Sequence, residues 1–248
     1  MSALMSDPTL VVLVWASLAA FAAGLGVVPR LVRGSLSRGA LGWANALAAG
    51  LMLGVAYLLL TDGLGEAYWA GSAGAAVGVG AVILIRRLLG TAELDLNALR
   101  HAGPEYGYQV MLVNTVHAAF EGVAIGAAMS VSTPFGISTA LALAVHNVPE
   151  GMVLTEILRG RGVRTLHAAT LAVAANLNQV LVAVVTFALV SAAPAAQPWA
   201  LGIAVGSLLQ LVLAELLPES YHQAGHTSIA LVALLAMGMV VGLAGVGP

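Results

Sequence analysis

The chain has 248 residues, of which 60% are hydrophobic and 8% charged, with a net charge of −2 and no cysteine. A soluble domain carries about 25% charged residues, so this composition excludes an ordinary water-soluble fold. The missing cysteines exclude disulfides and thiolate metal centres, and no basic run offers a surface for nucleic acid.

Before the first apolar run, the segment MSALMSDP holds no Lys or Arg, whereas Arg30, Arg33 and Arg38 follow it. A cleaved signal peptide needs the opposite arrangement, so residues 8–29 read as a retained first span. Runs of about 20 apolar residues match a hydrocarbon layer of about 30 Å. Seven more such spans follow at 40–60, 68–89, 106–130, 136–158, 165–192, 198–217 and 227–246. The short connections leave no room for a second domain. The expected fold is an all-α membrane protein, an eight-helix transmembrane bundle formed as one polytopic domain over residues 1–248.

All nine positive residues are arginines, and they cluster after spans 1, 3 and 5: Arg30, Arg33 and Arg38; Arg86, Arg87 and Arg100; Arg159, Arg161 and Arg164. The positive-inside rule assigns those loops to the cytoplasm and both termini to the extracytoplasmic side. The loop after span 7 then faces the cytoplasm as well, with Glu219, His222 and His226.

Spans 4 and 5 each carry the pattern His-x-x-x-Glu-Gly, at His117–Glu121–Gly122 and at His146–Glu150–Gly151. The i to i+4 spacing places each His and Glu on one helix face, one turn apart. Because the spans are antiparallel, His146 levels with Glu121 and Glu150 with His117. All four lie near the bilayer centre, within about one helical turn of each other. Ionisable side chains at that depth are costly and mark a function. Two imidazoles and two carboxylates suit Zn²⁺, and also Fe²⁺, Mn²⁺, Co²⁺ or Cd²⁺. The bland alternative is a polar cluster that glues helices, a task that Asn, Gln, Ser or Thr performs at lower cost.

Pro149, between His146 and Glu150, is expected to free the Val145 carbonyl and kink span 5. Asn147 could face a second cation, but its span-4 counterpart is Ala118, which has no ligand atom. Glu215 in LAELLPES is a further intramembrane acid, somewhat nearer the cytoplasm than Glu150, and reads as a pathway or second-site ligand. Glu156, His222 and His226 read as solvated charges at the cytoplasmic ends, with receipt of an outgoing ion as the alternative. Asp62 and Glu66 lie at the outer mouth after span 2 and read as ordinary solvated charges, with concentration of cations there as the alternative. Asn176, Asn178, Gln179 and Gln210 read as interhelical glue, and Asn114 as an orienting partner for His117. Met111, Met129 and Met152 read as packing, and His101 stands alone in a loop.

These motifs resemble those of the ZIP (Zrt/Irt-like) family of divalent-metal transporters. VHAAFEG at 116–122 is similar to the family's fourth-helix signature, HNVPEG at 146–151 to the fifth, and LAELLPES at 213–220 to the seventh-helix segment. The resemblance covers essentially the whole chain and implies a ZIP-like fold. It implies a primary transport site at His117, Glu121, His146 and Glu150. It also implies a second site at Asn147, Glu121, Glu150 and Glu215, from which this sequence departs at Ala118, where binuclear members place Asn. A long histidine-rich loop between spans 3 and 4 is absent. Family membership further implies import toward the cytoplasm, with spans 1, 4, 5 and 6 moving against 2, 3, 7 and 8, and a homodimer.

The expected function is transport of a divalent cation, Zn²⁺ first and Cd²⁺, Fe²⁺ or Mn²⁺ besides, through a bacterial cytoplasmic membrane. The bacterial source is read from the wealth of Ala, Gly and Arg and the lack of Lys. The metal is cargo, no prosthetic group is expected, and the partners are the ion and the lipid bilayer. The rival class is an intramembrane zinc-dependent hydrolase, but HExxH is missing and four ligands converge where a catalytic zinc keeps an open position. A bis-histidine haem would seat its apolar macrocycle beside two glutamates.

Overall fold

In lipid the backbone has no water to bond, so a spanning segment must satisfy its own amides, and helices do this within one segment. The computed structural model describes residues 7–63, 65, 67–89 and 105–245, and no strand occurs among them. Eight segments in these residues are long and apolar enough to cross a membrane: Pro8–Arg33, Arg38–Thr61, Tyr68–Leu88, Gln109–Val131, Thr133–Gly160, Thr165–Ala192, Pro194–Gln223 and His226–Ala244. Each overlaps a span expected from hydropathy.

The first span comprises α1 (Pro8–Ala22), a 3₁₀ stretch (Ala23–Val27) and α2 (Val28–Arg33). Asp7 caps α1 by accepting from the Thr9 amide at 2.8 Å, and Pro8 opens the helix where no amide donor is needed. The second span is α3 (Arg38–Leu58), capped by Ser37 on the Ala40 amide and ended by a π-turn at Leu59–Gly63. α4 (Tyr68–Leu88) begins with Tyr68 and Trp69, both exposed, as aromatics at a membrane interface are. α5 (Glu105–Val131) and α6 (Thr133–Gly160) form an antiparallel hairpin closed by Ser132, which accepts from the Phe135 amide. α7 (Thr165–Ala192) follows. The seventh span contains α8 (Gln197–Leu211), a π-turn (Val212–Leu216) and α9 (Leu217–Gln223), and α10 (His226–Gly245) ends the bundle.

α6 continues as one helix across Pro149, and the irregular backbone beside it lies in the first span, at Ala23–Val27. Fully buried positions are dominated by Ala, Leu and Gly, while large apolar side chains such as Leu166, Leu181, Leu234 and Leu235 point outward. Lipid is as apolar as leucine, so helices here associate by close fit rather than by hiding apolar surface.

Glycines show where that fit is tightest. A Cβ on Gly151 would lie 2.0 Å from the Ala23 carbonyl oxygen, which joins the first span to α6. One on Gly122 would meet the Gln179 carbonyl at 2.5 Å, joining α5 to α7. One on Gly206 would meet the Ala75 carbonyl at 2.0 Å, joining α4 to α8, and one on Gly50 the Ala233 carbonyl at 2.2 Å, joining α3 to α10. The bundle is therefore four tight pairs: spans 1 with 5, 4 with 6, 2 with 8 and 3 with 7.

Gly206→Ala should destabilise the purified protein by about 1–3 kcal/mol, the usual cost of overpacking. Gly80, which has nothing within 4 Å of its would-be Cβ, should tolerate Ala unchanged. Thermal unfolding followed by fluorescence-detected size exclusion compares the two.

Candidate metal centre

Each His-x-x-x-Glu-Gly pattern does two jobs. The final glycine lets a neighbouring helix approach to backbone contact, and the helix repeat then fixes where His and Glu point. Gly122 seats α5 on α7 and Gly151 seats α6 on the first span, so the two His/Glu faces meet between α5 and α6.

His117, Glu121, His146 and Glu150 form one buried cluster in which one ligand atom from each lies within 4.8 Å of all the others. His146 Nε2 stands 2.8 Å from Glu121 Oε1 and 3.8 Å from Glu150 Oε2. His117 Nε2 stands 3.4 Å from Glu121 Oε1 and 3.9 Å from Glu150 Oε1. The imidazoles stack with centroids 5.8 Å apart and planes 8° from parallel. Ligand atoms of a tetrahedral zinc site, with bonds of about 2.0–2.2 Å, are separated by roughly 3.4 Å. The observed spacings bracket that value.

His146 Nδ1 donates to the Ala48 carbonyl at 2.9 Å, an arrangement that binds α6 to α3. A carbonyl only accepts, so Nδ1 carries a proton and Nε2 is the ring atom left to face the carboxylates. Metal-bound histidines are oriented in this way. His117 Nε2, His146 Nε2, both Glu121 oxygens and Glu150 Oε2 are buried and face one another, with no hydrogen-bond partner outside the cluster. Two buried carboxylates converging with two imidazoles on one point call for positive charge there, which protons on the Nε2 atoms or a bound cation supply. A divalent cation meets the need, cancelling both carboxylates at once.

A cavity of about 240 Å³ reaches the cluster. It starts at His117 and Glu150, passes Arg86 and Glu215, and ends near Glu219 and His222. On the other side Ile125, Leu143 and Met52 are fully buried. The cavity thus opens toward the arginine-bearing helix ends.

The remaining sequence candidates divide. Asn147 is fully buried, but its Nδ2 donates to the Ala19 carbonyl at 2.8 Å and to Gln179 Oε1 at 3.0 Å, so it ties together spans 1, 5 and 6 and leaves only Oδ1 for a cation. Glu215 lines the cavity on the π-turn, and its Oε1 pairs with Arg86 Nη1 at 2.9 Å. Sequence reading assigns Arg86 to a loop, yet it stands in the last turn of α4 and turns into the bundle. Its place inside the expected span 68–89 was the available clue.

Glu156, read as a solvated charge, is part-buried and paired with Arg30 at 2.8 Å, which clamps α2 to α6. His222 lines the cavity mouth, whereas His226 stacks on Tyr221. Gln179 and Asn178 act between helices, the latter by donating to the Thr115 carbonyl, while Asn176 bonds back to Ala172 in its own helix. Ala118 is buried, Asn114 and Asn45 line the cavity, and Met129 packs against Gly136. The side chains of Asp62 and Glu66, and all of Arg100 and His101, lie outside the described residues.

An eight-span helical bundle with a buried His₂Glu₂ cluster at the end of a cavity defines a multi-pass membrane protein built around a candidate metal-binding centre. The family model described as ZIP zinc transporter matches residues 94–247. The zinc transporter GufA of Myxococcus xanthus is 32% identical over 237 residues, covering 90% of this chain and 93% of that protein. A candidate zinc transporter of Arabidopsis thaliana is 30% identical over 223 residues, and the zinc transporter ZIPB of Bordetella bronchiseptica is 32% identical over 142 residues. The matches span 36% of the Arabidopsis protein and 46% of the Bordetella protein. The chain belongs to the ZIP family.

Glu121→Ala removes the carboxylate closest to both imidazoles and should weaken Zn²⁺ binding by at least about 100-fold. Asn176→Ala, which breaks only an intrahelical bond, should leave it unchanged. Isothermal titration of the detergent-purified variants measures both.

Proposed function

We propose that this protein carries divalent transition-metal cations, Zn²⁺ foremost and Cd²⁺, Fe²⁺ or Mn²⁺ besides, across the cytoplasmic membrane of a bacterium toward the cytoplasm. The observation that carries the reading is the convergence of His117, Glu121, His146 and Glu150, all buried and each with a ligand atom within 4.8 Å of the others, at the inner end of a cavity. Membership of a family whose model is described as a zinc transporter supports it.

The ion binds to the two Nε2 atoms and the two carboxylates, with Asn147 Oδ1 beside them and Glu215 on the way out. Arginines near the open end of the cavity support a cytoplasmic assignment for that end, which puts both termini outside. The state described is then the one that releases metal inward. Loading from outside requires the packing around Ile125 and Leu143 to open while the cytoplasmic cavity closes.

The exchange can move spans 1, 4, 5 and 6, of which 4 and 5 carry the four ligands, as one set against a frame of spans 2, 3, 7 and 8, and the tight glycine pairs each fall within one of these sets. The single domain acts as a transporter rather than a hydrolase. Four ligands fill the coordination sphere, leaving no open position for an activated water. Residues 1–248 act as that one domain, in a homodimer.

Saturable uptake of labelled Zn²⁺ and Cd²⁺ into proteoliposomes is the expected result for the wild type. His117→Ala and Glu150→Ala, still folded, should lower it by at least about 100-fold. Undiminished flux in both variants would move the pathway elsewhere. One tightly bound metal with no flux would favour the hydrolase. Protons compete with the metal for the imidazoles, so uptake should fall as the external pH drops from about 7.5 to about 5.5. Uptake that climbs over this interval would indicate proton coupling instead.

A further inference from the structure

The ion pair between Arg86 and Glu215 stands inside the cavity that leads from the cluster, and both partners come from the frame. Arg86 belongs to α4 and Glu215 to the π-turn after α8, two elements locked together where Gly202 and Gly206 lie against the Gly71 and Ala75 carbonyls. The four ligands belong to the other helix set, on α5 and α6. Glu215 shares the cavity with His117 and Glu150, so a carboxylate of the frame is presented to a site carried by the moving set.

Charge decides what such an acid does. Two neutral imidazoles and two carboxylates carry −2, which one divalent ion cancels. A bare Glu215 would add one uncompensated negative charge in a largely buried position, 12% exposed. It would draw the cation as an extra ligand, since an unpaired buried charge is costly and a nearby cation relieves it. An ion held at once by Glu121, Glu150 and Glu215 would then cross-link the two helix sets. Sliding one set past the other would require breaking a metal–carboxylate bond.

We propose that Arg86 is a positioning residue that withholds Glu215 from the transported ion, so that the metal is gripped by one helix set only and the other stays free to move. The guanidinium suits this role because it keeps its charge at all working pH values and fits a carboxylate. The π-turn that carries Glu215 supports a built role, since such turns concentrate at functional sites. The inference rests on the transport reading of the His/Glu cluster.

The test compares Cd²⁺ affinity of the full-length protein in detergent with Cd²⁺ uptake in proteoliposomes. Arg86→Gln should bind Cd²⁺ about tenfold more tightly and turn over about tenfold more slowly, the freed carboxylate adding attraction. Arg86→Lys should behave as wild type. Adding Glu215→Gln to Arg86→Gln should return both quantities toward the wild-type values, which a merely structural ion pair would not do. Should Arg86→Gln fail to fold, Glu215→Gln alone decides: binding retained within about tenfold supports withholding, and a loss beyond about 100-fold makes Glu215 a ligand and overturns it. Wild-type affinity and rate in Arg86→Gln would also overturn it while leaving the transport reading intact. A wild-type protein that neither binds nor carries Cd²⁺ would overturn both.

Discussion

Two carboxylates buried in an apolar bundle, facing two imidazole lone pairs, set the terms for everything around them. Glu121 and His146 are fully enclosed, with Glu121 Oε1 2.8 Å from His146 Nε2. Each ion taken from water into such an interior costs several kcal/mol even after relaxation. A cluster with this composition holds together by recruiting a positive charge, and it must be able to give that charge up. The rest of the fold shapes access to this one point.

Helix packing supplies the geometry. Backbone contact at Gly122 and Gly151 leaves α5 and α6 little freedom to rotate, so the His/Glu faces stay opposed. The Ala48 carbonyl fixes the His146 ring from a third helix, and Asn147 stitches α6 to the first span and to α7. The 3₁₀ stretch Ala23–Val27 lies where Gly26 and Gly151 bring the first span onto α6, beside Pro149. Close packing of this kind is rigid within a pair and leaves the boundary between sets as the place for motion.

Charge is handled locally. Arg30 answers Glu156 and Arg86 answers Glu215, each within one end of the bundle. Every intramembrane acid outside the central cluster that the structure describes at this end is therefore matched by a side chain or, for Glu219, bonded to Gln223. The central pair faces only the two histidines, whose charge is not fixed. That difference separates a site for a passing cation from structural ion pairs, and it would be invisible if acids were only counted.

The amino-acid sequence by itself determined the eight spans, because apolar length against bilayer thickness is a property of consecutive residues. It also determined the four members of the cluster. The i to i+4 spacing and the equal depth of His117 with Glu150, and of Glu121 with His146, follow from helix rise alone. Only the tertiary structure decided the partners that come from distant segments: Arg86 for Glu215, Arg30 for Glu156, Ala48 for His146 and Gln179 for Asn147. It also decided which residues line the cavity that reaches the cluster and that the first span carries a 3₁₀ stretch against α6. Periodicity along one helix says which residues share a face. Which other helix that face meets depends on backbone approach at scattered glycines, a relation between segments that no local pattern encodes.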